Sequence, residues 1–533
     1  MGDETVSVVK FISNDLTNVS IDKIDNYVVS AIFPLSFQNN ILSNIVISKS
    51  VTSIGSRAFY GCTNLKNIDF SEATNLSIID DYAFYNCTGL TSIDLSMCEK
   101  LNTISSYAFY NCSSMNDILI SSSVTSIGSY CFDNCSSLYI LFESIDNSEI
   151  SFGYYWNNDM RPVYYNVLSV IQKDLDGNFK YAITSNGIII LKLLNENLKE
   201  VNLTTNIDNY KLFGIGAYAF KGQNIESVRL ASSCTFIGKS AFYDCANLCE
   251  FNINMTSKLV DIDDYAFYGC SNLIAFHIPL SVIRIGMYCF DNCSSLYILF
   301  EAMDSSEISL GSYWNNDMRP VSYLVKELKY KNFNLNGSFY YYEMSNGKLG
   351  FLKWKGSTHN CGPTTSIEID NIDGKPFVEI CDRAFENCKS YDGSGFLEFS
   401  YTKLVTITIG SSVKRIGKYA FSGLYEDSIG GIFSTSETQF KIKFNANSEL
   451  EYIGTYAFES SHFIGDVILG KNISEIGSYA FGLATVIGDP YKIFIEKGSN
   501  AGVSLGSHWN GNKQYYWGTE WHYNQNGLPI LNE

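Results

Sequence analysis

The sequence predicts a β-rich solenoid of about thirteen coils with short parallel strands, interrupted by β-hairpin and tryptophan modules. Three observations predict it. A phrase centred on Ala-Phe recurs along almost the whole chain, a short strand-like stretch follows each copy, and one large block of sequence occurs twice.

The phrase reads SIGSRAFYGC at Phe59, IIDDYAFYNC at Phe84, TISSYAFYNC at Phe109 and SIGSYCFDNC at Phe132. It returns at Phe220, Phe242, Phe267 and Phe290, then at Phe385, Phe421, Phe458 and Phe481, and a degenerate first copy places Phe37 in register. The phased phenylalanines are 22, 25, 25 and 23 residues apart in the first group and 22, 25 and 23 in the second. The third group runs 36, 37 and 23, so two of its coils carry insertions. A period in the low twenties is that of a solenoid whose every turn is one small structural unit.

Each unit then supplies strands. Leu65, Ile68 and Phe70 are followed in register by Leu90, Ile93 and Leu95, and later by Leu248, Phe251, Ile253 and by Leu273, Phe276, Ile278. Their last two positions alternate as a strand does. A second apolar stretch, such as Val124 to Ile127, ends each coil, and stacking aligns both stretches into parallel sheets.

The repeat is interrupted twice. EISFGYYWNNDMRPV at 149–163 and EISLGSYWNNDMRPV at 307–321 lie 158 residues apart, and CFDNCSSLYILFE is identical at 131–143 and 289–301. A weaker third copy surrounds Trp509. Between blocks, DLDGNFKYAITSNG and NLNGSFYYYEMSNG place turn dipeptides beside alternating aromatics, the signature of a β-hairpin. Three blocks follow: 1–165, ending in a Trp-Asn cap; 166–325, a hairpin plus the duplicated block; and 326–533, a hairpin plus a block with longer inserts and a C-terminal cap.

Composition narrows the function. The net charge is −18, which argues against a nucleic-acid partner, whose phosphates call for Lys and Arg, and disfavours docking on anionic membranes. Hydrophobic residues are 46% and charged ones 17%, so the chain can bury a core. No apolar run reaches the roughly 18 residues of a membrane span, and no direct membrane insertion is expected. The first residues lack a basic segment and an apolar stretch, so a secretory signal is not expected in this sequence. Two locations follow: cell surface or secreted after removal of a leader, or intracellular or particle-associated.

The pattern Ser-Val-Thr-Ser-Ile-Gly-x-x-Ala-Phe-x-x-Cys-x-x-Leu, seen at residues 50–65, resembles the BspA-type, or Treponema-type, leucine-rich repeat. The resemblance covers residues 30 to 520. It implies a curved leucine-rich-repeat superhelix, typical of surface proteins of host-associated microbes, several of which act as adhesins.

The chemistry-bearing residues argue against catalysis. Of 15 cysteines, eight share one repeat position: Cys62, Cys87, Cys112, Cys135, Cys245, Cys270, Cys293 and Cys388. A strict repeat position and an odd count point to buried free thiols rather than a metal site or disulfides. The histidines (His277, His359, His462, His508, His522) sit in no ligand or triad motif. Asp174, Asp176 and Gly177 begin like a calcium loop but lack its later ligands, so a hairpin turn is expected. Paired Asp80/Asp81 and Asp263/Asp264 recur at a repeat position, which marks a turn. Sequons at Asn18, Asn75, Asn202, Asn254 and Asn472 carry no weight in so Asn- and Ser-rich a chain. No catalytic residue, cofactor or metal is expected. The reading is a non-enzymatic, surface-type, adhesin-like protein that recognises a protein or glycan; the rival is a structural scaffold using the solenoid as a rigid spacer. Candidate binding residues are Tyr139, Phe142, His277, Tyr297 and Phe300, assigned to outward strand positions at the block ends, since aromatics dominate contact hot spots. The competing role for these aromatics is packing beneath the tryptophan segment that follows.

Overall fold

A computed structural model describes residues 5–8, 10–11, 18–24, 27–253, 257–333, 337–355, 365–385, 405–422, 440–444, 448–459, 461, 466–482, 492–525 and 528–532. It is a parallel β-solenoid of about 17 turns, and none of the described residues is helical. Two compact units are formed: residues 1–224 with 233–243 and 261–266, and residues 225–232 and 244–260 with 267–533.

In the first unit, the stretch ending each coil is a two-residue strand: Ser53–Ile54, Ile78–Ile79, Thr103–Ile104 and Ser126–Ile127. All pair parallel and in register, so Ile54, Ile79, Ile104 and Ile127 stack with at most 1% exposure. The Leu-x-x-Ile stretch makes the second sheet, in which Ile118 lies between Ile93 and Ile140. Between the sheets the phased phenylalanines form one column. Phe37, Phe59, Phe84, Phe109 and Phe132 follow at 4.9, 5.1, 5.1 and 5.9 Å with near-parallel rings. Burying each ring contributes about 2–3 kcal/mol.

Polar groups inside the coil are satisfied by the neighbouring coil. Cys62 Sγ donates to the Phe37 carbonyl, Cys87 to Phe59, Cys112 to Phe84 and Cys135 to Phe109, at 2.9 to 3.3 Å. Burial pushes the Cys62 and Cys293 thiols up to about 12, so they stay protonated donors. The cysteines of the described residues are free thiols; Cys388 lies outside them.

The phenylalanine series understates the number of turns because the tryptophan segments are coils too. Ser151 and Phe152 pair with Ser126 and Ile127, and the Phe132 amide bonds the Trp156 carbonyl as Phe84 bonds Ala108. Trp156 therefore occupies the alanine place of the phrase, and its indole meets Phe132 and Phe142 edge-on. Trp314 and Trp509 repeat this in the second unit. The strands of the Trp156 coil, Ser151–Phe152 and Val163–Tyr164, lie at the edges of their sheets.

A three-stranded antiparallel ribbon follows. Val167–Ile171, Phe179–Thr184 and Gly187–Leu193 pair in sequence, and the last strand pairs parallel with Leu212–Ile215, which resumes the solenoid. Asp174 accepts the amides of Asn178 and Phe179, so the calcium-loop-like segment is a hairpin turn. In the second unit Val325–Phe333, Gly337–Met344 and Leu349–Lys355 form the same ribbon and join Lys375–Ile380. Coils then stack in register through Ile416, Ile453 and Ile476 to Leu505.

Because Phe109 is fully enclosed between Phe84 and Phe132, Phe109→Ala is expected to lower stability by about 3–5 kcal/mol. Urea unfolding followed by circular dichroism measures this.

Candidate interaction surface

The five candidate binding residues lie inside the molecule, and each has a packing role. Phe142 is fully buried in the solenoid core, in register with Ile120, and stacks on Tyr165. Tyr139 does face outward from its strand, but the ribbon covers it: it packs with Val167, Ala182 and Leu191, and its hydroxyl donates to the carbonyls of Leu191 and Ala217. In the second unit Phe300 stacks on Tyr323 and meets Trp314 edge-on, while Tyr297 packs with Val325 and Leu352. His277 is 5% exposed, and its Nε2 bonds the Val325 carbonyl at 3.2 Å. Burial holds its pKa below the ordinary value against that hydrogen bond, so the ring is neutral. None of the five is offered to a ligand.

Under the first ribbon lies a buried ion pair. Lys180 reaches from the ribbon to Asp117 at the start of strand Asp117–Ile120, with side-chain exposures of 8% and 4%. Gln172 Nε2 donates to the same carboxylate at 3.1 Å.

The outward-facing chemistry is elsewhere. The residue two positions before each phased phenylalanine has a left-handed backbone: φ is 57° at Arg57, 59° at Tyr82, 57° at Tyr107 and 54° at Tyr130. The following coil imposes it, because the turn's alternate amides bond that coil's carbonyls, Tyr82 to Ser106 and Phe84 to Ala108. The side chains at this place stack. Tyr82 and Tyr107 lie 4.8 Å apart with planes 2° from parallel, Tyr130 follows at 5.1 Å, and the Arg57 guanidinium covers the Tyr82 ring. A second column, Tyr60, Tyr85 and Tyr110, runs beside the first at 4.9 Å steps, with Tyr82 tilted against Tyr85 and Tyr107 against Tyr110. All six rings are half-buried, and exposed Tyr154 and Tyr155 end the array. In the second unit Tyr419, Tyr456, Tyr479 and His508 form the same column at 5.1 to 5.2 Å, with Arg383 over Tyr419.

Partial burial, then the neighbouring phenols, raises the pKa of Tyr85, so its hydroxyl stays protonated. Ring faces stack on neighbours, which leaves edges and hydroxyls as the parts of these half-buried rings free to meet a partner, and the Tyr110 hydroxyl accepts from Asn134 Nδ2 at 2.7 Å. The Asp pairs serve the turns beside them: Asp80 accepts the Asp81 amide and Asp81 the Ser106 amide. Sequence reasoning followed the phenylalanine and passed over this array, whose signal was the tyrosine of DYAF, SYAF and SYCF.

Among the described residues, no group of three or more His, Cys, Asp or Glu side chains is placed to hold a metal ion, and no helix is long and apolar enough to cross a membrane. His508 and His522 are tied to Tyr479 and Asn532, while His359 and His462 lie outside the described residues.

A model of the BspA type leucine rich repeat region matches residues 30–160, 194–335, 357–426 and 395–487, in six copies. The chain belongs to this family. The BspA-type phrase thus coincides with the coils that carry the tyrosine columns. Similar solved structures include a leucine rich cell surface protein from Faecalibacterium prausnitzii A2-165, 23% identical over 58% of this chain and 94% of that chain, with a TM-score of 0.27. The pneumococcal vaccine antigen PcpA is 15% identical over 78% of this chain and 95% of that one, with a TM-score of 0.32. A leucine-rich repeat protein from Bacteroides ovatus is 15% identical over 96% and 94%, with a TM-score of 0.27. No curated protein matches the sequence.

Two measurements test the packing roles of the buried polar groups. Asp117→Ala strands the Lys180 ammonium and is expected to cost about 3–5 kcal/mol, whereas Asp117→Leu with Lys180→Met recovers most of it; urea unfolding of the two variants beside the unaltered chain decides. For His277 the folded state keeps the ring neutral while the unfolded chain takes up a proton near 6.5, so stability falls as pH drops below that value. Unfolding at pH 7.5 and 5.5 is expected to show this loss shrinking in His277→Gln.

Proposed function

We propose that this BspA-type protein is a non-enzymatic recognition protein of adhesin-like character, displayed at a cell surface, that binds a protein or glycan along its repeat surface. The observation that carries the reading is the paired tyrosine columns, half-buried phenol rings whose centroids lie 4.8 to 5.1 Å apart. A ring held by stacking loses little side-chain entropy on contact, and each hydroxyl both donates and accepts. Such a row suits an extended polymer lying along the coils, where many weak contacts add up. The named surface protein from F. prausnitzii agrees in kind with this location.

The test uses the full chain on arrays of host matrix proteins and glycans, with Tyr82→Asn/Tyr107→Asn as the altered surface. Asn tolerates the left-handed backbone at both positions, so the turn persists. Saturable binding that weakens at least tenfold in the variant, with an unchanged circular dichroism spectrum, is expected; undiminished binding removes the columns from the contact. Antibody staining and protease shaving of intact cells address location. A protein protected until lysis would overturn the adhesin reading in favour of the rigid spacer.

A further inference from the structure

The duplicated block offers the same place in the fold twice, with different contents. Position 117 corresponds to Ala275, given the 158-residue offset. On the ribbon, Ile171 faces Tyr181 in one copy and Lys329 faces Tyr341 in the other, so Lys180 corresponds to Tyr340. The buried ion pair of the first copy has thus become an alanine and a tyrosine in the second.

Tyr340 does not fill the space. Its hydroxyl donates to Glu250 at 2.7 Å, on the adjacent strand Glu250–Ile253, and an open groove of about 570 Å³, counting space shared with solvent, is left beside it. Ile274, Ala275 and Leu328 give the groove its apolar walls, and Glu250 supplies a carboxylate. Lys329 also borders it, but its ammonium is turned to Glu343 at 2.7 Å and Glu327 at 3.1 Å.

We infer that this groove receives the side chain of a lysine on a partner polypeptide. The methylenes lie on Ile274, Ala275 and Leu328, and the ammonium bonds Glu250. Three observations support that occupant. The first copy shows that this face of the fold holds a lysine stem under the ribbon with its ammonium on a carboxylate. The groove pairs apolar walls with a carboxylate already oriented by Tyr340. The chain's net charge of −18 draws a cationic partner. The site shares no residue with the tyrosine columns, so its failure leaves the reading above standing.

The probe is Nα-acetyl-lysine amide, titrated into the full chain by calorimetry, with the uncharged norleucine analogue as control. One saturable site is expected, at least tenfold weaker for the norleucine compound and lost in Glu250→Gln. It is also expected to be lost in Ala275→Asp/Tyr340→Lys, which installs the ion pair of the first copy and closes the groove. Ala275→Met, which closes it without charge, serves where the double variant fails to melt cooperatively. No saturation, equal affinity for both probes, or binding that survives closure of the groove would overturn the inference.

Discussion

The structure depends on one constraint: each coil must bond its backbone to the next in register. Parallel pairing of identical units sets like residues one strand spacing apart, about 4.8 Å. A residue type chosen once is therefore chosen for a column. Phenylalanine succeeds inside because flat rings stack at that spacing, 4.9 to 5.1 Å through Phe37, Phe59, Phe84 and Phe109. Cysteine succeeds beside it because a thiol is small enough for the turn and still donates to the carbonyl one coil back. The same pairing forces the left-handed residue in every turn. That conformation costs an L-residue roughly 1–2 kcal/mol, and ring stacking along the tyrosine column is the available compensation.

A stack so built has ends, and the ends explain the irregular segments. An exposed last coil would leave a phenylalanine face in water. Trp156 meets this by placing a larger ring where the phrase has alanine, so that one residue covers both Phe132 and Phe142. The ribbon meets a second need, covering the outward face of the last strands through Tyr139 and Leu141. Its own last strand then pairs with the next coil, so that closure of one stack begins another.

The columns inside the solenoid were legible in the sequence, because a strict period converts position into burial. Phe142 shows where that legibility was misapplied. It occupies the register of Ile120, an inward place; the outward place beside Tyr139, in register with Leu119, is Leu141, one residue earlier. Tyr139 and His277 fail differently: both face away from the core as alternation requires, but alternation says nothing of what covers that face. The covering ribbon is remote in sequence; Tyr139 bonds residues 52 and 78 positions away. The tyrosine columns were readable in principle, since their spacing is that of the phenylalanines. They were missed because a polar-edged aromatic in a turn looks like an incidental surface residue until stacking is seen.

The two copies of the block separate what the fold requires from what it permits. Retained in both are the strand Tyr-Ile-Leu-Phe at 139–142 and 297–300 and the tryptophan coil, all of which close the stack. Changed is the contact between ribbon and sheet, from Asp117 with Lys180 to Ala275 with Tyr340. Losing the buried ion pair costs the stack little when both partners change together, because desolvation offsets much of the charge attraction, and Ala275 and Tyr340 still share one apolar cluster. That position was therefore free to change without unfolding the stack. It is also where the second copy, in exchanging charge for a ring, acquired a groove with a carboxylate on its wall.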